Sequence, residues 1–498
     1  MPDKPPSNRW RSARESIASR RTRLLAFVRR NKVPVAVGSA LVVIGIAIGA
    51  YAAYKALRRP PDVHNANAAF KPNEVKPKLK TVNWPLYGYN AQRTRYLAAK
   101  GIKPPYKKLW SYGGKPLLEF PPVYVNGTLY AIDNNGNVFA LDADTGKVLW
   151  KRRVAQLNAS SPTYSHHRLY VVNLVPGQIL SLDPKNGHTV WKKSLGSRSE
   201  SSPLVVGNRV FFGDEAGTMY AVDRRNGHTI WTAQLCGAIK GAPAYEHGIL
   251  FDGDYGGCMT AVNSITGKIK WQSSSQGLGL GSTGAFYSTP ALAFGRVYVG
   301  NNDHRVYSFE QSNGQLAWSH STGSYVYSGP TVADTPKTGP TVYIGSIDGN
   351  IYALDAKTGD TRWSHSAGGP VIGSLSAVGD TVYVASFSPK QTNGFSMKDG
   401  HKVFGYETGA YTPVISDGHR IYLTGYSSIT ALQPLTKKQI QGRAKARREK
   451  EARKRKRQAD HRKRAAQAKQ RQRQRQAQAG KNKPNGKASN GQQGGKGR

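Results

Sequence analysis

The chain has 498 residues, with 72 Lys and Arg against 29 Asp and Glu, and only 2 Cys. That length leaves ample chain for a core, and so few cysteines exclude a small fold stapled by disulfides. The net charge of +43 divides into +13 over residues 1–83, +9 over 84–436 and +21 over 437–498, so the strongest basic character lies outside the central body.

Residues 1–32 hold ten Lys or Arg. The run VPVAVGSALVVIGIAIGAYAAY that follows is uncharged for 22 residues, enough at about 1.5 Å per residue to cross a hydrocarbon layer roughly 30 Å thick. A transmembrane helix is predicted over 33–55. Basic residues are denser before it than after it, which predicts a cytoplasmic segment 1–32 and places everything beyond residue 56 outside the plasma membrane. Ala50-Tyr51-Ala52 resembles a signal-peptide cleavage site, but the long basic stretch and long apolar run favour a retained anchor. Residues 56–83, rich in Pro and Lys, read as a linker.

From residue 84 to 436 one phrase recurs. LDADTGKVLW (141–150) returns as LDPKNGHTVW (182–191), VDRRNGHTIW (222–231), VNSITGKIKW (262–271), FEQSNGQLAW (309–318), LDAKTGDTRW (354–363) and FSMKDGHKVF (395–404). Successive closing aromatics are 41, 40, 40, 47, 45 and 41 residues apart, the period of a propeller blade. One unit, from Leu204 to Leu235, contains four short β-rich runs separated by turn residues, which predicts a four-stranded antiparallel blade. Gly146, Gly187, Gly227, Gly267, Gly314, Gly359 and Gly400 end the turn before the fourth strand, where a left-handed backbone suits glycine. Asp142, Asp183, Asp223, Asn263 and Asp355 start that turn, where an Asx side chain can accept a backbone N–H. Trp150, Trp191, Trp231, Trp271, Trp318 and Trp363 close the phrase, each ten residues after a small residue (Ala140, Ser181, Ala221, Ala261, Ser308 and Ala353). Small beside large in register implies blade packing, with each ring buried between neighbouring sheets.

An eighth unit, 411–434, supplies three strands and no fourth. The missing strand is found ahead of the first unit in YKKLWSYGG (106–114), where Trp110 takes the tryptophan position. The prediction is an all-β, eight-bladed propeller closed by an N-terminal strand. Strand direction brings Cys236, after the fourth strand of one blade, and Cys258, in the third strand of the next, to one face. A disulfide between them is expected outside the cell, two buried thiols being the alternative. His188, His228 and His401 follow the turn glycines one blade apart, too far from one another to share a metal, and read as surface residues.

These repeats, together with WPLYGYNAQRTRY (84–96), resemble the pyrroloquinoline-quinone-like β-propeller repeat family, whose phrase is A-x-D-x-x-T-G-x-x-x-W. The family includes quinoprotein dehydrogenases, which hold the quinone and a calcium ion on the axis, and BamB-like envelope scaffolds, which hold no cofactor. The resemblance implies the fold; for activity it is unspecific. The enzymes' vicinal Cys-Cys pair and long acidic loops have no counterpart here, and no nucleophile–base set or nucleotide-binding loop is present. A non-catalytic, monomeric binding or scaffold module, nearest in character to the BamB-like propellers, is therefore expected. No catalytic, cofactor or metal residues are assigned; pyrroloquinoline quinone with calcium enters only under the alternative of a quinone-dependent oxidoreductase.

The tail, 437–498, begins with good helix formers but has almost no apolar stripe, and ends in low complexity. It reads as a solvated helix or a disordered segment able to bind polyanions. On an external tail these would be anionic lipid or wall polymers, with nucleic acid disfavoured; a further alternative to the scaffold makes the tail primary, with polyanion or nucleic-acid binding as the function. Envelope or membrane proteins are the partners expected at the propeller faces.

Overall fold

The computed structural model describes residues 43–50, 59–72, 82–279 and 282–481. Seven blades follow one another at Val123–Arg153, Thr163–Ser194, Leu204–Gln234, Ala244–Ser274, Ala291–Ser321, Thr331–Ser366 and Ser376–Tyr406. First strands of successive blades lie side by side, and the ring is completed where the first strand of the eighth blade meets that of the first. The eighth blade is made of Ile415–Ser416, Ile421–Thr424 and Ser428–Pro434, with β2 (Tyr106–Gly113) as its outermost strand. The eight-bladed propeller and its N-terminal closing strand are as predicted.

Why the phrase repeats is visible in the register. Ala221 of the third strand stands opposite Phe211 on one side and Trp231 on the other. A larger residue there would hold the two rings apart; with Ala their centroids are 5.8 Å apart. The same triplet recurs as Tyr130–Ala140–Trp150 and Tyr343–Ala353–Trp363. Each indole then reaches the next blade. The Nε1–H groups of Trp110, Trp150, Trp191, Trp231, Trp271, Trp318 and Trp363 donate to backbone carbonyls there at 2.8–3.1 Å. The turn glycine supplies the flat seat for the ring. Gly227 has φ of +75°, and a Cβ on it would lie 2.6 Å from the Trp191 ring, so glycine is needed there for space as well as for conformation.

Burial departs from expectation. All seven tryptophans stand on the outer strand of a blade; Trp318 and Trp363 are buried there, whereas Trp110, Trp150, Trp191, Trp231 and Trp271 are only half-buried. Trp318 owes its cover to residues 59–72, part of the stretch read as linker. Asn65 N–H donates to Ala317 O at 2.8 Å, Arg296 donates to Ala68 O at 2.8 Å, Phe70 lies 5.2 Å from Phe294, and Asp62 lies 3.7 Å from Arg305. That piece is an additional strip on the fifth blade.

Residues 43–50 are helical and exposed; the remainder of the predicted 33–55 span lies outside the described residues. Among the described residues no helix is long and apolar enough to cross a membrane. The tail forms a helix, Lys437–Lys481, started by Thr436, which accepts the Gln439 N–H while the Gln439 side chain accepts the Thr436 N–H.

Candidate functional site at the propeller axis

Residues 84–97 form a hoop along the inner strands. Trp84 exchanges two backbone hydrogen bonds with Tyr124 of blade 1, at 2.8 and 2.9 Å. Pro85 accepts from blade 2, Ala91 from blade 4, Gln92 from blade 5, Thr94 from blade 6 and Arg95 from blade 7, at 2.7–2.9 Å. Tyr96–Leu97 (β1) then pairs in parallel with blade 7. The inner strands would otherwise present unpaired N–H groups to the channel, so the hoop satisfies them. Arg93 and Arg95 are fully buried. Arg93 donates to the carbonyls of Pro243 and Ser202, and Arg95 to those of Arg93 and Pro330. Burial draws the Arg93 guanidinium down to about 9, with the Arg95 charge adding to it and Tyr87 and Asp252 opposing. Asp252 is buried in a strand position that is apolar in the neighbouring blades (Phe212, Val299), and burial pushes its carboxyl up to about 8.

The residue four places before each first strand points to the functional end of the channel. These positions are Glu119, Ala159, Glu200, Lys240, Tyr287, Tyr327, Ile372 and Tyr411. Six of the eight line one axial cavity of about 200 Å³, joined by Tyr87 of the hoop. The Tyr87 hydroxyl is 2.7 Å from Ser374 Oγ, and its ring packs edge-on to Phe120 at 5.6 Å. Tyr287 meets Tyr327 at 5.2 Å and Tyr255 at 6.1 Å, and Tyr411 stacks on Phe387 at 5.1 Å. Lys240 Nζ is held by Glu200 at 2.6 Å and Glu215 at 3.0 Å, and Glu215 is also paired with Arg198. Glu119 receives only a long 3.4 Å hydrogen bond from Asn134; burial and the charge of Glu200 push its carboxyl above the ordinary range, with Asn134 and Lys240 opposing. Repeat reasoning passed over this column because its residues differ from blade to blade. The signal that would have found it is its constant distance from the first strand.

Beside the funnel the structure joins Cys236 to Cys258, with Cα atoms 6.1 Å apart. Asp254 accepts both cysteine backbone N–H groups at 3.2 Å, and burial pushes its carboxyl up to about 6 against those bonds. His188, His228 and His401 are exposed and separate: His188 lies 3.0 Å from Arg152 and His401 pairs with Asp399. A larger hollow of about 550 Å³ lies on the outside of blades 6 and 7, where Lys337 is already paired with Asp380.

Of the charged side chains that line the funnel, Lys240 is committed to two glutamates and Glu119 is a carboxylate. Calcium takes six to eight oxygens. Among the described residues the one group of three side chains close enough to share a metal is Cys236, Asp254 and Cys258, and its two sulfurs are taken up in the disulfide. The cavity is also smaller than the roughly 300–1,000 Å³ usual for small-molecule sites.

Fold and site together define an eight-bladed propeller whose blades are docked by tryptophan and whose axis is closed by its own chain. Three successive matches, over residues 107–239, 216–335 and 322–479, place the chain in the family described as outer membrane protein assembly factor BamB, and it belongs to that family. The BamB of Yersinia pestis is 44% identical over 41 residues, 8% of this chain and 10% of that protein. The chain spans no more than 13% of the length of the curated relatives it matches. Among solved structures, BamB from Moraxella catarrhalis is similar with a TM-score of 0.56 at 17% identity, covering 66% of this chain and 98% of that one. Quinohemoprotein alcohol dehydrogenase from Pseudomonas putida is similar at 0.60 and 14%, covering 71% and 80%. At these identities the two structures share the fold alone with this chain.

Proposed function

We propose that this chain is a membrane-anchored, extracytoplasmic propeller that acts as a non-catalytic binding module in the cell envelope, anchored through residues 33–55 with residues 1–32 in the cytoplasm. The observation that carries this reading is the axial funnel. Its charges are largely paired with one another, its walls are tyrosine, and it offers neither a nucleophile with a base nor an oxygen cage. Membership of the family described as an outer membrane protein assembly factor supports an envelope protein as its partner. The tail, at +21, supports an anionic surface as a second contact.

The test is purification of the full chain from detergent-solubilised membranes after mild cross-linking. An envelope protein should co-purify through the funnel face, and protease added outside the membrane should remove the tail. Bound quinone in the absorption spectrum together with dye reduction, or a propeller protected while residues 1–32 are cut, overturns the reading.

A further inference from the structure

The funnel is too small for most metabolites and well sized for one side chain, and its chemistry selects which. The charged residues that line it are Glu119 and Lys240; behind them Lys240 is held by Glu200 and Glu215, and Glu215 also by Arg198. Lys240 and Arg198 account for Glu200 and Glu215, while the other cations nearby, Arg95 and Lys390, lie over the Tyr87 and Tyr426 rings, so that among the described residues Glu119 makes no ion pair. Aromatic rings line the same cavity as Glu119: Tyr87 of the hoop, Phe120, the Tyr287–Tyr327 pair and Tyr411. A ring face attracts a cation within about 6 Å of its centroid, more strongly where water is excluded. An anion would meet an unpaired carboxylate, and an uncharged apolar group would leave that carboxylate desolvated without a partner.

The chain makes this kind of contact with its own lysines around the same mouth. Lys240 Nζ, between its two glutamates, lies 5.6 Å from the Tyr255 ring, and Lys390 Nζ lies 4.4 Å over Tyr426. The mouth is also rimmed by large exposed rings, with Tyr255 43% exposed, Tyr325 41% and Tyr426 39%. A free amine has no use for such a rim, whereas exposed tyrosines around a small deep pocket are what a protein partner's anchor residue needs.

We propose that the funnel is the socket for one arginine or lysine side chain presented by an extended segment of a partner protein, with Glu119 as its counter-charge and Tyr287, Tyr327, Tyr411 and Phe120 as its cage. This rests on the binding-module reading and names the chemistry of its contact.

The test titrates the full chain with capped Gly-Gly-Arg-Gly-Gly, its norleucine counterpart and choline at fixed salt. The arginine peptide should bind at least about tenfold more tightly than the norleucine peptide. Glu119→Gln and Tyr287→Leu, each checked for an unchanged far-ultraviolet circular dichroism spectrum and a cooperative melt, should each weaken it by roughly five- to tenfold. A photo-reactive arginine peptide should cross-link at Tyr287, Tyr327 or Tyr411 in the unaltered chain, which keeps the test valid if either variant fails to fold. Equal binding of both peptides, no binding of either, no effect of Glu119→Gln in a folded variant, or cross-links only outside the funnel overturns the socket. Choline binding as tightly as the arginine peptide overturns the peptide as occupant. Capture of an envelope partner by wild type and by Glu119→Gln alike sinks the socket but leaves the binding-module reading intact; no capture by wild type sinks that reading itself.

Discussion

Trp231 and His228 stand three residues apart in one phrase and meet different surroundings. The Trp231 ring touches Phe211 in its own blade, lies against Gly267 of the next, and donates to Ser264 O at 3.1 Å. The His228 side chain is exposed. Removing a fully buried aromatic costs about 3–5 kcal/mol; Trp231 is half-buried but also gives up a hydrogen bond, so Trp231→Ala should cost about 2–4 kcal/mol. His228→Ala should stay within about 0.5 kcal/mol. Denaturant midpoints at constant slope measure both, and equal losses would contradict the assignment of one to packing and the other to solvent. The repetition of Trp made its role legible in the sequence. Its partial exposure was not, because cover over a ring comes from segments such as residues 59–72 above Trp318, which occur once and have no period.

At the scale of the element, the disulfide ties the loop after one blade's last strand to the third strand of the next. Strand direction alone places both cysteines on one face, but not within bonding reach. What brings them together is Asp254, whose carboxylate takes both backbone N–H groups. The bridge closes 22 residues of chain, so the loop-entropy estimate of its contribution is roughly 3 kcal/mol, an upper figure because the blade remains hydrogen-bonded without it. Digestion of the non-reduced protein should yield one peptide pair linking Cys236 to Cys258, and the double Cys→Ser variant should melt lower while keeping its β-sheet spectrum. Alkylation of both thiols in unfolded, unreduced protein would show that the bridge is absent.

At the scale of the whole molecule, the repeats hid the site for the same reason that they revealed the fold. A search for the period retains what every blade shares, and Gly227, Trp231 and their counterparts are shared because every interface between blades is the same joint. The funnel is made of what the blades do not share, one residue from each at a fixed place, and only ring closure brings Glu119 of blade 1 near Lys240 of blade 4 and Tyr411 of blade 8. Closure is therefore a condition for the site, and it depends on β2, which comes from the opposite end of the propeller sequence to the three strands it completes. Trp110 in β2 makes the same joint as the other tryptophans, donating to Ala143 O at 3.0 Å and seating on Gly146. Trp110 and Trp231 are both half-buried, each with one indole hydrogen bond and a glycine seat in the next blade, so Trp110→Ala should cost the same as Trp231→Ala to within about 1 kcal/mol. A chain beginning at residue 115 loses both hoop and closing strand, leaving the strand Ser428–Pro434 with an unpaired edge, and should associate into larger species by size-exclusion chromatography. If Trp110→Ala is nearly neutral, or if that shortened chain stays monomeric with an unchanged melting temperature, the ring is not held shut by β2, and the residues of the funnel have no reason to face one another.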